Sequence, residues 1–247
     1  MSEYRVVCTH RTGSTFLASY IEKFYSTKSQ FEFLLARHIL HDNGTITADI
    51  TRDHRPPYRP PLADVLKKLD FLDKKKFHNE QFPVKIIPNT TAELGIENRL
   101  TKYLKGYKIL TIARNPWDSF MSMQYQRETN WEVTHNKRAF NSVKYNKDIR
   151  YTIKEKDIIW YATKWWYDIK FISNLEPYHV FDYEELNTET LNKFFGKHIQ
   201  TPHRPLGIDY KELVLNYDEA YTIFNNHFAG WESALYIMGS NRNEIMG

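Results

Sequence analysis

Two segments of the chain share one grammar, and that repetition restricts the fold more than any other feature. Tyr4 to Cys8 is a short β-branched run, Thr9 to Gly13 carries loop chemistry, and from Ser14 the apolar residues Phe16, Leu17, Tyr20, Ile21 and Phe24 recur at helical spacing. Tyr107 to Ala113 is a second apolar run, ended by Arg114. Asn115 can then cap a helix and Pro116 can fill its first turn, with Trp117, Phe120, Met121 and Tyr125 on one face. Further strands are expected at Phe82 to Ile87 and at Tyr178 to Phe181. Strands alternating with helical patterns predict an α/β fold whose mostly parallel central sheet is flanked by helices on both sides.

The 247 residues are enough for a substantial core, and 15% aromatic content excludes a disordered chain. A single domain spanning 1–247 is expected, with loop over 41–61, where Asn43-Gly44 and four prolines fall, and an irregular basic insertion at 127–156. That insertion holds eight Lys/Arg against four acids, which equals the net +4 of the whole chain. It reads either as a lid over an anionic ligand or as a solvated polar loop. A surplus of +4 is too slight to argue for nucleic acid. The longest apolar runs, 109–113 and 158–162, are far shorter than the roughly 20 residues that span a bilayer, so no integral membrane association is expected. With no recognisable secretory signal and a single cysteine, Cys8, the expected location is the cytoplasm.

The first loop, Thr9-His10-Arg11-Thr12-Gly13-Ser14-Thr15, lies where a strand's carboxyl end turns into a helix. Backbone N–H groups there favour an anion, Gly13 permits close backbone approach, and the hydroxyls of Thr12, Ser14 and Thr15 add donors. A plain turn with Ser14 as N-cap and Arg11 in solvent is the alternative. The spacing is not that of a Walker A loop, because Arg11 precedes the glycine and no Gly-Lys-Ser/Thr follows. Arg114 and Ser122, eight positions apart in the second unit, can face the same anion region, because ligands of parallel sheets collect at strand carboxyl ends.

These residues resemble the sulfotransferases that use 3′-phosphoadenosine 5′-phosphosulfate (PAPS). Arg11-Thr12-Gly13-Ser14-Thr15-Phe16-Leu17 is similar to their 5′-phosphosulfate loop, in the form found in carbohydrate-type and bacterial members. Ala113-Arg114-Asn115-Pro116-Trp117-Asp118-Ser119-Phe120-Met121-Ser122 is similar to their 3′-phosphate motif. Val180-Phe181-Asp182-Tyr183-Glu184-Glu185-Leu186 is similar to a strand-end segment that follows a Trp-containing helix.

The resemblance implies a P-loop NTPase-like sulfotransferase architecture and transfer of a sulfonate group to a hydroxyl of a small-molecule or glycan acceptor, a carbohydrate or glycolipid in this branch. Adenosine 3′,5′-bisphosphate would be the product, and no metal is expected. Arg11, Thr12, Gly13, Ser14, Thr15, Phe16, Arg114 and Ser122 would bind the cofactor. Arg11 and Lys85 would supply cationic charge, and Glu32, between Phe31 and Phe33, would be the base, with His38 and His41 as runners-up. Lys85 can also be read as a lysine snorkelling from an edge strand. The chain departs from the phenol-type branch at Ile87, where that branch has its catalytic histidine, and in lacking a C-terminal Gly-x-x-Gly-x-x-Lys segment. A kinase-like phosphotransferase and a non-catalytic anion- or nucleotide-binding domain are the other readings. Trp160, Trp165 and Trp166 suit either an acceptor floor or the core, and their helical spacing favours the core for at least two of them.

Overall fold

A computed structural model describes residues 3–25, 30–31, 38–42, 46–48, 61–77, 84–90, 92–129, 148–200 and 208–240. The first unit forms β1 (Tyr4–Val7) and α1 (Ser14–Phe24), and the second forms β6 (Lys108–Ala113) and α4 (Pro116–Glu128). Between them lie β2 (Gln30–Phe31), β3 (His38–Leu40), β4 (Ile46–Ala48), α2 (Leu62–Phe77), β5 (Val84–Ile86) and α3 (Glu97–Leu104). After them come α5 (Glu155–Ser173), β7 (His179–Asp182), α6 (Thr188–Phe195), α7 (Tyr210–Leu213), α8 (Tyr217–His227) and α9 (Trp231–Ser240). The main sheet runs in the order β2-β5-β1-β6-β7, with every neighbouring pair parallel. The fold is α/β with a parallel central sheet flanked by helices.

Alternation along the strands sorts side chains between the two faces. Val7, Ile86, Ile109 and Val180 join a core with helices α2 to α5, α8 and α9. Val6, Cys8, Leu110, Ile112 and Phe181 point the other way, against α1 and α6. Both faces are therefore covered, which explains why β6 reads as a nearly continuous apolar run. Asn115 caps α4 by accepting from Trp117 N at 2.8 Å, with Pro116 opening the helix.

Two expectations change. Ile46–Ala48, within the expected loop, pairs antiparallel with His38–Leu40. Asn-Gly between two short runs is a common hairpin signal, and the prolines downstream masked it in the sequence. The basic insertion is also shorter than 127–156: Arg127 and Glu128 finish α4, and Tyr151 and Ile153 are buried. Residues 130–147, with Lys137, Arg138, Lys144 and Lys147, lie outside the described residues. Among the described residues no helix is long and apolar enough to cross a membrane.

Of the three tryptophans, Trp165 is buried in the core and Trp166 packs against it, its indole N–H donating to His227 O at 3.0 Å. Trp160 is 40% exposed.

Candidate functional site

Because β1 and β6 are adjacent, with Tyr4 opposite Lys108 and Val6 opposite Leu110, the loops leaving their carboxyl ends come together. The first loop is tightly folded. Thr9, Thr12 and Ser14 are all buried, and Thr12 Oγ1 donates to Thr9 O at 3.1 Å. Arg11 and Gly13 both take left-handed backbone, at φ 60° and 77°. Gly13, rather than Ser14, is the N-cap of α1, and among the described residues no side chain caps that helix end. Phe16 N and Leu17 N donate to Gly13 O, so the helix begins at the glycine. A Cβ on Gly13 would lie 3.1 Å from the Tyr183 ring and 3.3 Å from Leu186, on top of the strain of its φ.

Tyr183 is placed there by the sheet. Its N–H donates to Ala113 O at 2.9 Å, extending the β6–β7 ladder by one residue. Its ring also lies 3.9 Å from the Arg114 guanidinium carbon, a cation–π stack. The third landmark of the sequence thus packs against both of the others.

The two loops are joined by their arginines. Arg11 Nε and Nη2 each donate to Ser122 Oγ at 3.2 Å, across 111 positions of sequence. Arg114 Nη1 donates to the Arg11 carbonyl, and Arg114 Nε is buried without a hydrogen-bond partner among the described residues. Arg11 is therefore not a solvated side chain. Asp118, in the first turn of α4, has its carboxyl pushed up by burial while Arg114 pulls it down.

Lys85 extends the cluster toward β5. It is buried, its strand lies between β2 and β1, and its Nζ donates to Thr15 Oγ1 at 3.2 Å. The edge-strand reading of this lysine is corrected by the strand order. Cys8, at the end of β1, is buried, and burial pushes its thiol up to about 11 against the pull of Lys85. It stays a protonated core residue at neutral pH.

Glu32 and the side chain of His38 lie outside the described residues, and His41 is exposed at the end of β3. Two features were missed from sequence. Asp168 on α5 is buried and accepts from Asn89, through Oδ1 from the backbone N–H at 2.6 Å and through Oδ2 from the side-chain amide. It pins the turn after β5, and neither residue belongs to a motif that would have marked it. Tyr210 on α7 approaches the Ser122 side of α4, and its only local signal is the Asp209 cap before it.

Among the described residues no group of three or more His, Cys, Asp or Glu could hold a metal ion. The arrangement presents cationic and hydroxyl donors around an open helix end, which suits binding of phosphate or sulfate esters. No protein-family model matches the chain, and no curated protein matches it.

Proposed function

We propose that the chain is a PAPS-dependent sulfotransferase that transfers a sulfonate group to an acceptor hydroxyl. The contact that carries this reading is Arg11 to Ser122, which interlocks the two phosphate-type loops. Adjoining anion loops suit a nucleotide phosphorylated at both its 3′ and 5′ positions better than a single inorganic ion. The residues fit such a group. Among the described residues Arg114 Nε is an orphaned buried donor, costing about 1–3 kcal/mol until something accepts from it. Gly13 holds the left-handed φ of the loop at a place where a Cβ would crowd Tyr183 at 3.1 Å.

When bound, PAPS supplies an electrophilic sulfonate and a phosphate leaving group. Arg11 and Lys85 place positive charge at the end of the sheet where leaving-group charge grows, and their fixed hydrogen bonds spare reorganisation. Arg114 and Ser122 hold the 3′-phosphate and so set the orientation of the nucleotide. Glu32 takes the proton of the acceptor hydroxyl.

Calorimetry should detect adenosine 3′,5′-bisphosphate binding to the wild-type chain, and turnover of labelled PAPS should survive EDTA. No binding sinks the reading, while EDTA-sensitive turnover of ATP favours the phosphotransferase. Glu32→Gln should keep bisphosphate affinity within about twofold and lower kcat by roughly 10²–10⁴. Unchanged kcat would remove Glu32 from the mechanism.

A further inference from the structure

Residues 208–216 are fastened to the chain just ahead of α5. Tyr151 and Val214 form a parallel bridge, with Tyr151 N donating to Leu213 O at 3.1 Å and Leu215 N to Tyr151 O at 2.9 Å. Asn216 clasps Ile153 from both sides, its Oδ1 accepting from Ile153 N at 2.9 Å and its Nδ2 donating to Ile153 O at 3.0 Å. Asp209 caps α7 by accepting from Lys211 N at 3.0 Å, and Leu213 and Val214 are buried. The short helix is thus capped at its start and tied at its C-terminal end to the chain ahead of α5.

These ties bring Tyr210 against α4. Its ring meets that of Tyr125 at an angle of 62°, with centroids 6.3 Å apart. Tyr125 follows Ser122 by three residues on α4, a spacing that puts both on one helix face. The Tyr210 ring therefore packs against the face of α4 that carries Ser122, the hydroxyl that Arg11 holds. Its surroundings agree: burial pushes the phenol up, and the Ser122 hydroxyl, Arg114 and Arg11 draw it back. Burial dominates, so Tyr210 keeps its proton at neutral pH and offers an O–H donor without adding charge.

We propose that Tyr210 is an anion-binding residue, the neutral donor by which the C-terminal segment completes the phosphate site of Arg114 and Ser122. The inference rests on the nucleotide reading above and assigns Tyr210 to the 3′-phosphate. A phosphate monoester dianion has three terminal oxygens, more than one guanidinium fork and one serine hydroxyl can saturate. A phenol on the remaining side fills that gap.

Calorimetry on wild type and Tyr210→Phe, each with adenosine 3′,5′-bisphosphate and with adenosine 5′-phosphate, tests the assignment. Tyr210→Phe keeps the ring against Tyr125, so Tm should stay within about 2 °C. Its affinity for the bisphosphate should fall about tenfold or more, the loss of one hydrogen bond to a charged acceptor. Affinity for the 5′-phosphate should change less than about twofold, within the effect of a bond not made. Equal loss for both ligands, no loss for the bisphosphate, or a larger drop in Tm each overturns the role of Tyr210 while leaving the nucleotide reading standing. Failure of wild type to bind the bisphosphate overturns that reading itself.

Discussion

Arg114→Ala is expected to weaken adenosine 3′,5′-bisphosphate binding by at least about a hundredfold in calorimetry. Hydrogen bonds to a charged group are worth about 1.5–3 kcal/mol each, and a guanidinium fork makes two to a phosphate. The variant also frees the Arg11 carbonyl and uncovers the Tyr183 ring, so the loop that Arg114 braces loosens with it. Arg114→Lys separates these effects. A lysine restores charge but not the fork, and it cannot reproduce the planar stack on Tyr183, so it should recover only part of the affinity. Full recovery by lysine would mean that charge alone matters, and wild-type affinity in the alanine variant would remove Arg114 from the site.

Asp168→Ala should cost about 2–6 kcal/mol in urea unfolding, because two buried donors of Asn89 lose their acceptor at about 1–3 kcal/mol each. Asp168 also couples stability to pH. Burial holds its carboxyl well above the ordinary range, against the pull of Asn89 and Lys164. The folded chain therefore keeps this proton at pH values where the unfolded chain has released it. Stability falls as pH rises from about 3.9, the ordinary aspartate value, up to the folded pKa, by as much as about 1.4 kcal/mol per pH unit. Asp168→Asn removes the titrating group and should flatten the profile across that window. An unchanged slope between wild type and Asp168→Asn would show that this carboxyl does not titrate differently on folding.

The strands that carry the site were legible because each ends an apolar run at a change of chemistry: β1 at Thr9, β6 at Arg114, β7 before Tyr183. The α4 cap was legible because Asn115 and Pro116 act within one turn of themselves. Local signals failed where distant packing decides. Ser14 and Gly13 are both acceptable caps for α1 by type, and the left-handed φ of position 13 with the Tyr183 ring close by, 170 positions away, favours the glycine. β2 spans only Gln30–Phe31, too short for any period, and exists because β5 offers it an edge. The meeting of Arg11, Arg114 and Ser122 followed from the rule that parallel-sheet loops share one end. That Arg11 holds Ser122 directly, and that Tyr210 comes in from the C-terminal segment, depended on side-chain reach and on the Tyr151 bridge, which leave no trace in spacing.

The strand order has a temporal side. β1 lies at the middle of the sheet, but both of its partners, β5 and β6, are encoded far downstream of it. At a synthesis rate of about 5–20 residues per second, the roughly 100 residues separating β1 from β6 take on the order of 5–20 s to emerge from the ribosome. Until β5 emerges, Val6, Val7 and Cys8, all buried in the finished protein, have no neighbouring strand to pair with. The anion loop attached to β1 is thus translated well before both strands that flank β1, and it takes its final shape only once they are in place.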